Sequence, residues 1–254
     1  APGRSGPLKA GPEPQSRLKL MNRGKLYLIP SPLGNSPVGD VLPQGTLSIA
    51  CSLKRFVVEE VRTARRILSA YGLKGHIDSL EFHELNEHTR QDEVEALLPL
   101  FDNGDVGYMS EAGLPAVADP GSALVALCHR EGIEVIPLVG PSSLMMALMA
   151  SGLNGQSFAF CGYVPAKADE RKGALKALEK HSRAEKQSKI IIETPYRNDA
   201  LLADMLQVFS PSTRICLAAD ISLPTQYIRT DSAAGWKKTG ITIGKRPCVF
   251  IVLA

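Results

Sequence analysis

Short apolar runs that stop at glycine- and proline-rich loops, each followed by a stretch of helical period, recur along this chain and leave few folds open. KLYLIP (25–30) is cut off by the turn-rich SPLGNSPVGD, the pattern of a buried strand feeding a loop. SLKRFVVEE (52–60) has a β-branched centre and ends in acids. VRTARRILSAYGL then sets Val61, Ala64, Ile67 and Leu68 on one helical face and closes at Gly72. After IDSLEFHELNEHTR come a helix through Val94 to Phe101, a turn at Asn103-Gly104, a strand over 105–110, the loop EAGLPAVADPG, the helix SALVALCHREGI and the strand EVIPLVG. This alternation predicts an α/β fold with a mainly parallel sheet in the first half.

The second half repeats the alternation with different punctuation. A Ser-capped helix (LVGPSSLMMALMASGL) precedes the strand SFAFCGYVP, the long charged helix KADERKGALKALEKHSRAEK and the strand KIIIETP. The helix RNDALLADMLQVF and the strands RICLAADIS and CVFIVLA complete it. The boundary falls between Pro137 and Gly140, giving an N-terminal α/β domain over 25–138 and a C-terminal one over 139–254. Each is too small for a barrel of eight βα units.

Charge qualifies an obvious reading. The net charge of +3 and a pI near 8.6 suggest a nucleic-acid-binding surface, but residues 1–25 hold six basic side chains against Glu13 alone. The remaining 23 basic residues meet 25 acidic ones, so the body carries −2. Residues 1–24 are read as a disordered leader, with Met21 as the natural start and no apolar segment that would direct export. No apolar run reaches the roughly 18 residues of a membrane span, and a cytoplasmic protein is expected. Five cysteines without a C-x-x-C spacing read as small buried hydrophobes in a reducing compartment.

Several familiar signatures fail on spacing. Gly240 to Lys245 has three residues between its glycines where a phosphate-binding loop needs four, and reads as a turn between two strands. His83 and His88 are five apart rather than four, so they would not share a helical face to hold zinc, and no metal is expected. No G-x-G-x-x-G follows the first strand. What survives is a set of tight loops placed just after strands, where open α/β sheets bind ligands. They are Pro30 to Asn35, Ser110 to Gly121 and Val139 to Ser143. In the second, Asp119 precedes Pro120 and can cap the helix after it, whereas Glu111 has less structural reason to be there. The third opens a helix with free N–H groups.

Taken in order, GKLYLIPSPLGN, VEEVRTARRIL, HELNE, SEAGLPAVADPG, PLVGPSSLMMALMASGL, FCGYVPAK and ETPYR resemble the tetrapyrrole-methylase-like (class III) S-adenosylmethionine-dependent methyltransferases. Within that superfamily the resemblance is greatest to the ribosomal RNA small-subunit methyltransferase I family, and it runs from Gly24 to Ala254. It implies a homodimer of two α/β domains, the first sheet mainly parallel and the second mixed, with S-adenosylmethionine in the cleft between them. The implied reaction is methylation of a cytidine ribose 2′-hydroxyl in small-subunit ribosomal RNA. Carried over by position, the cofactor contacts would be Pro32, Gly34, Ser110, Glu111, Ala112, Val117, Ser142, Ser143, Tyr163, Thr194 and Pro195. Glu60, Arg62 and Asn86 would serve the substrate side, where alignment and a positioned base lower the barrier to in-line transfer. RNA contacts would come from Arg62-Arg65-Arg66 and Lys167-Arg171-Lys172.

The chain also departs from the family pattern. E-D-T-R reads Glu59-Glu60-Val61-Arg62, S-D-A-G-T-P-G reads SEAGLPA, the middle His of H-E-H-N-E is Leu85, and A-R-E-L-T reads Ala218 to Ser222 as AADIS. The chain ends at its last strand, where longer members carry an extra C-terminal region. Cofactor features are kept better than substrate features, so two alternatives stand beside RNA methylation. The same fold could act on a tetrapyrrole or other small molecule, or bind the donor without turnover.

Overall fold

The computed structural model describes residues 23–254; the leader read at 1–24, with Met21, lies outside them except for its last two residues. The chain divides into two units, one of residues 23–31 and 43–139, the other of 32–42 and 140–254.

The first unit is built on five strands, β1 (Leu26–Leu28), β2 (Arg55–Val58), β3 (Glu81–Glu84), β4 (Val106–Met109) and β5 (Val135–Pro137). All pair in parallel, in the order β3-β2-β4-β1-β5. Parallel neighbours need crossovers, supplied here by α1 (Gln44–Ser52), α2 (Val61–Leu68), α3 (Gln91–Glu95) and α4 (Ser122–Arg130). All four residues of β4 are buried. A Cβ at Gly107 would lie 2.6 Å from Ile29 Cδ1 and 3.0 Å from Leu53 and Phe56, so glycine there lets those side chains close over the strand. On the core, Leu26, Val57, Leu85, Phe101, Val106, Leu124 and Leu127 form one buried cluster with Tyr108. The helix expected through Phe101 stops at Glu95, and Leu98–Asn103 forms a 3₁₀ turn. Pro99 lacks the N–H a continuing helix requires and restricts Leu98 before it.

The second unit holds β6 (Phe158–Tyr163), β7 (Ser188–Ile192), β8 (Arg214–Ala219), β9 (Tyr227–Ser232) and β10 (Cys248–Leu253), in the order β6-β7-β10-β8-β9. Only β6 and β7 run parallel, so this sheet is mixed. Its helices are α5 (Ser143–Ser151), α6 (Ala168–Glu185), α7 (Asn198–Val208) and α8 (Ala233–Thr239). Ser142 Oγ caps α5 by accepting from Met145 N at 3.3 Å, as the Ser-rich start predicts. The sequence reading omits β9 and α8. YIRTDS is a half-exposed edge strand without an apolar run, and α8 is anchored by Trp236, whose Nε1 donates to Ile215 O at 2.9 Å. Gly240 to Lys245 therefore connects a helix to a strand, not two strands. The short segment 32–42 adds Leu33 to a core of Leu144, Ala147, Leu148, Ile190, Ile221 and Val249.

Cys128, Cys216 and Cys248 are buried as expected, but Cys51 is only half-buried and Cys161 is exposed at an irregularity in β6. No helix among the described residues is long and apolar enough to cross a membrane.

Arg171 on α6 is buried, with Nε and Nη2 each 2.7 Å from Asp204 Oδ2 and Nη1 donating to Ala166 O at 2.7 Å. Truncating one member of such a pair strands the other charge in the core. Asp204→Ala is expected to lower stability by about 3 kcal/mol in urea unfolding.

Candidate functional site

In the first unit the C-terminal ends of the parallel strands carry the loop from Ser110 to Gly121. Three side chains shape it. Ser31, just past β1, exchanges backbone hydrogen bonds with Gly113 at 2.9 and 3.0 Å, and its Oγ donates to Ser110 O at 2.9 Å. Asp119 gathers three donors: Ala116 N at 2.8 Å, Gly121 N at 2.7 Å and the Tyr108 hydroxyl at 3.0 Å. It therefore ties the loop to β4 as well as meeting the N–H of Gly121 at the start of α4. Burial raises the Asp119 carboxyl above its ordinary range, against the lowering effect of these hydrogen bonds. The third is Glu59, directly after β2, whose Oε2 accepts from Glu111 N at 3.1 Å.

Between these anchors Ala116 and Ala118 sit at φ 62° and 58°, a region that alanine rarely adopts. They flank Val117, a large apolar side chain left 47% exposed. Backbone strain of this kind clusters at functional sites. Of the expected cofactor residues, Ser110, Glu111, Ala112 and Val117 all lie here, with Ser110 buried and the other three exposed.

The substrate-side residues are placed differently from one another. Glu60 is the N-cap of α2, its carboxylate accepting from Arg62 N at 2.9 Å and Thr63 N at 2.7 Å. Contact with the Thr63 hydroxyl, and then these N–H groups, hold its carboxyl below the ordinary range. A capping carboxylate of this kind is a weak base. Arg62 is exposed on α2, whose first turn abuts the loop, with Thr63 Oγ1 3.5 Å from Glu111 Oε1. Asn86 Oδ1 accepts from His88 N at 3.0 Å in the turn after β3, so this side chain shapes its own loop. His83 lies in strand β3, not on a helix, and no group of three potential metal-ligating side chains occurs among the described residues.

The second unit carries its candidates at one end of the mixed sheet. Gly34 lies against Leu223, whose Cδ atoms would be 3.0 Å from a Cβ there, and Ser36 Oγ donates to Ser222 O at 3.0 Å. Pro32 and Gly34 thus belong to a loop seated on the turn after β8. Asp220 and Ser222 in that turn have φ of 50° and 70°, and Asp220 Oδ2 accepts from Arg246 Nε at 2.7 Å and Thr225 Oγ1 at 2.9 Å. Ser142 and Ser143 open α5, and Tyr163 ends β6 with 60% of its surface exposed. Thr194 and Pro195 follow β7 beside Glu193, which is buried. One Glu193 oxygen accepts from Thr194 N at 2.7 Å and from Arg197 at 2.8 and 2.9 Å, while Oε2 has no partner among the described residues. That oxygen is a buried acceptor left unsatisfied among the described residues.

Glu193, in the ETPYR segment, is among the residues the resemblance implies for the C-terminal side, whereas Glu59 is a candidate the sequence reading misses; its only signal is its position as the acid immediately following a buried strand.

Two five-stranded sheets of this connectivity, one parallel and one mixed, define the tetrapyrrole methylase fold. The chain superposes on the methyltransferase CobJ with a TM-score of 0.60 at 16% identity, covering 91% of this chain and 94% of that one. It superposes on uroporphyrin-III C-methyltransferase from Thermus thermophilus, crystallised with S-adenosylhomocysteine, with a TM-score of 0.55 at 15% identity, covering 91% and 97%. No protein-family model matches the chain. Among curated relatives, the ribosomal RNA small subunit methyltransferase I of Vibrio cholerae is 34% identical over 205 residues, 80% of this chain and 67% of that protein. The protein of the same name from Escherichia coli O157:H7 is 32% identical over 79% of this chain and 66% of its own length. That of Pseudomonas aeruginosa is 30% identical over 236 residues, 91% and 79%. The chain belongs to the ribosomal RNA small subunit methyltransferase I family, a family of S-adenosylmethionine-dependent methyltransferases. It spans about two thirds of the length of the V. cholerae and E. coli relatives.

The cap assigned to Glu60 is testable apart from any activity. Glu60→Ala should cost about 1 kcal/mol in urea unfolding, and Glu60→Asp, a better cap, should recover most of it.

Proposed function

We propose that this chain transfers the methyl group of S-adenosylmethionine to a ribose 2′-hydroxyl of a cytidine in small-subunit ribosomal RNA, as a cytoplasmic homodimer. The observation that carries the donor part is the 110–121 loop, strained, anchored by three side chains and lined by acids. Glu59 and Asp119 are partly buried there with Glu111 exposed beside them, and none of the three forms an ion pair among the described residues. S-adenosylmethionine supplies an activated methyl on a positively charged sulfur, and a loop bearing unpaired carboxylates suits a cation. In this reading Ser110, Glu111, Ala112 and Val117 hold the donor in the first unit. The candidates of the second unit are Pro32, Gly34, Ser142, Ser143, Tyr163, Thr194 and Pro195.

On the acceptor side, Arg62 and Asn86 stand next to the same strand ends, and Glu60 contributes by fixing the start of α2. That helix offers the better RNA contact of the two basic clusters. Arg65 is tied to Asp78 and stacks 5.9 Å over Phe82, whereas Arg62 and Arg66, one turn apart, are exposed and have no acidic partner among the described residues. Lys167 pairs with Glu170 and Arg171 is buried, so the second cluster offers little free charge. The names of the relatives favour ribosomal RNA over a tetrapyrrole as acceptor.

Incubation with tritiated S-adenosylmethionine and small ribosomal subunits from cells lacking this enzyme tests the proposal. Label in a ribose methyl of the RNA is expected, and no label despite intact donor binding would refute it. Glu111→Lys should abolish donor binding in calorimetry by setting a cation against the sulfonium. Arg66→Glu should leave donor affinity unchanged while weakening RNA binding and lowering its salt slope by about 1.

A further inference from the structure

Glu59 occupies a place that stability alone does not explain. Its backbone N donates to the O of Met109, the last residue of β4, at 3.2 Å, carrying the pairing of β2 with β4 one residue past the end of β2. Its side chain reaches on to Glu111 N at 3.1 Å, the only side-chain hydrogen bond it makes among the described residues. The ionisable groups acting on it include Glu111 and Asp119 of the loop, Glu87 of the turn after β3 and the Tyr108 phenol of β4, and it forms no ion pair among the described residues. A glutamine in the same pose would accept the same N–H without facing three acids.

We propose that Glu59 is a positioning residue of the donor site, setting the entry of the 110–121 loop through the Glu111 peptide and keeping a negative charge there for a cationic ligand. The inference rests on the reading of that loop as the donor site. Burial, reinforced by the neighbouring acids, raises the Glu59 carboxyl above its ordinary range despite the Glu111 hydrogen bond. A carboxyl raised on folding contributes stability while protonated and loses it as pH rises through the raised value. At neutral pH the ionised Glu59 therefore costs the fold stability, and a neutral replacement should recover it.

The test compares the full chain with Glu59→Gln and Glu59→Ala, titrating each with S-adenosylmethionine and with S-adenosylhomocysteine, which lacks the sulfonium charge. Glu59→Gln should unfold at a higher temperature than the wild type at pH 7.5, and this gain should vanish below pH 4.5, the ordinary value for a glutamate. The same variant should bind S-adenosylmethionine about tenfold more weakly, with S-adenosylhomocysteine affected no more than about twofold, since the N–H acceptor survives. Glu59→Ala, lacking both charge and acceptor, should weaken both ligands by about tenfold or more. Wild-type affinity for both ligands in Glu59→Gln would overturn the inference, as would an equal loss for the two ligands together with a lowered unfolding temperature, the mark of a merely structural residue. A wild-type chain that binds neither ligand would instead overturn the reading of the loop as the donor site.

Discussion

Much of the C-terminal end of the first unit's sheet depends on one carboxylate. Asp119 joins the inside of the loop at Ala116, the start of α4 at Gly121 and the interior of the sheet at Tyr108. The Tyr108 ring is fully buried, and a Cβ on Gly121 would lie 2.0 Å from it, so the helix begins hard against the aromatic ring. Burial raises the Tyr108 phenol far above its ordinary range, which keeps it a neutral donor to Asp119. With that triangle in place, two alanines are held in a conformation they would otherwise leave, and Val117 is kept out of the core.

The second unit uses the same device with different parts. Asp220, at φ 50°, is pinned by Arg246 and Thr225, and the turn it starts receives the loop of Gly34. Glu193 and Arg197 lock the turn after β7 in the same way, leaving one carboxylate oxygen unengaged. In both units the candidate residues stand just beyond strand ends, on backbone that side-chain acceptors hold in addition to a few backbone bonds.

The strand and helix order was largely legible because buried parallel strands have to be apolar and short, and VVEE, DVGYMS and KIIIETP leave little else to read. Where apolar signal was weak the reading lapsed: β9 is an edge strand of mixed character, and the helix that ends at Glu95 was drawn through Pro99 by the leucines around it. The loops were found by their glycines and prolines, whose conformational demands are local. Which acid does what was not legible. Glu59 and Glu60 are adjacent and chemically alike, yet one caps a helix and the other reaches a loop 52 residues away. That division follows from side chains turning opposite ways at the end of a strand, and needs the partner strand to be seen.

The segment 32–42 belongs to the second unit while the chain on both sides of it belongs to the first. During synthesis Leu33 emerges long before Leu144, Ile221 and Val249, the residues it packs on. The second unit therefore cannot finish its core from residues 140–254 alone, and segment 32–42, made first, must wait for them. A fragment cut at 140 would lack Leu33 and the partner of the turn at Leu223. The second unit thus has its earliest-made part in the glycine loop that follows the first strand.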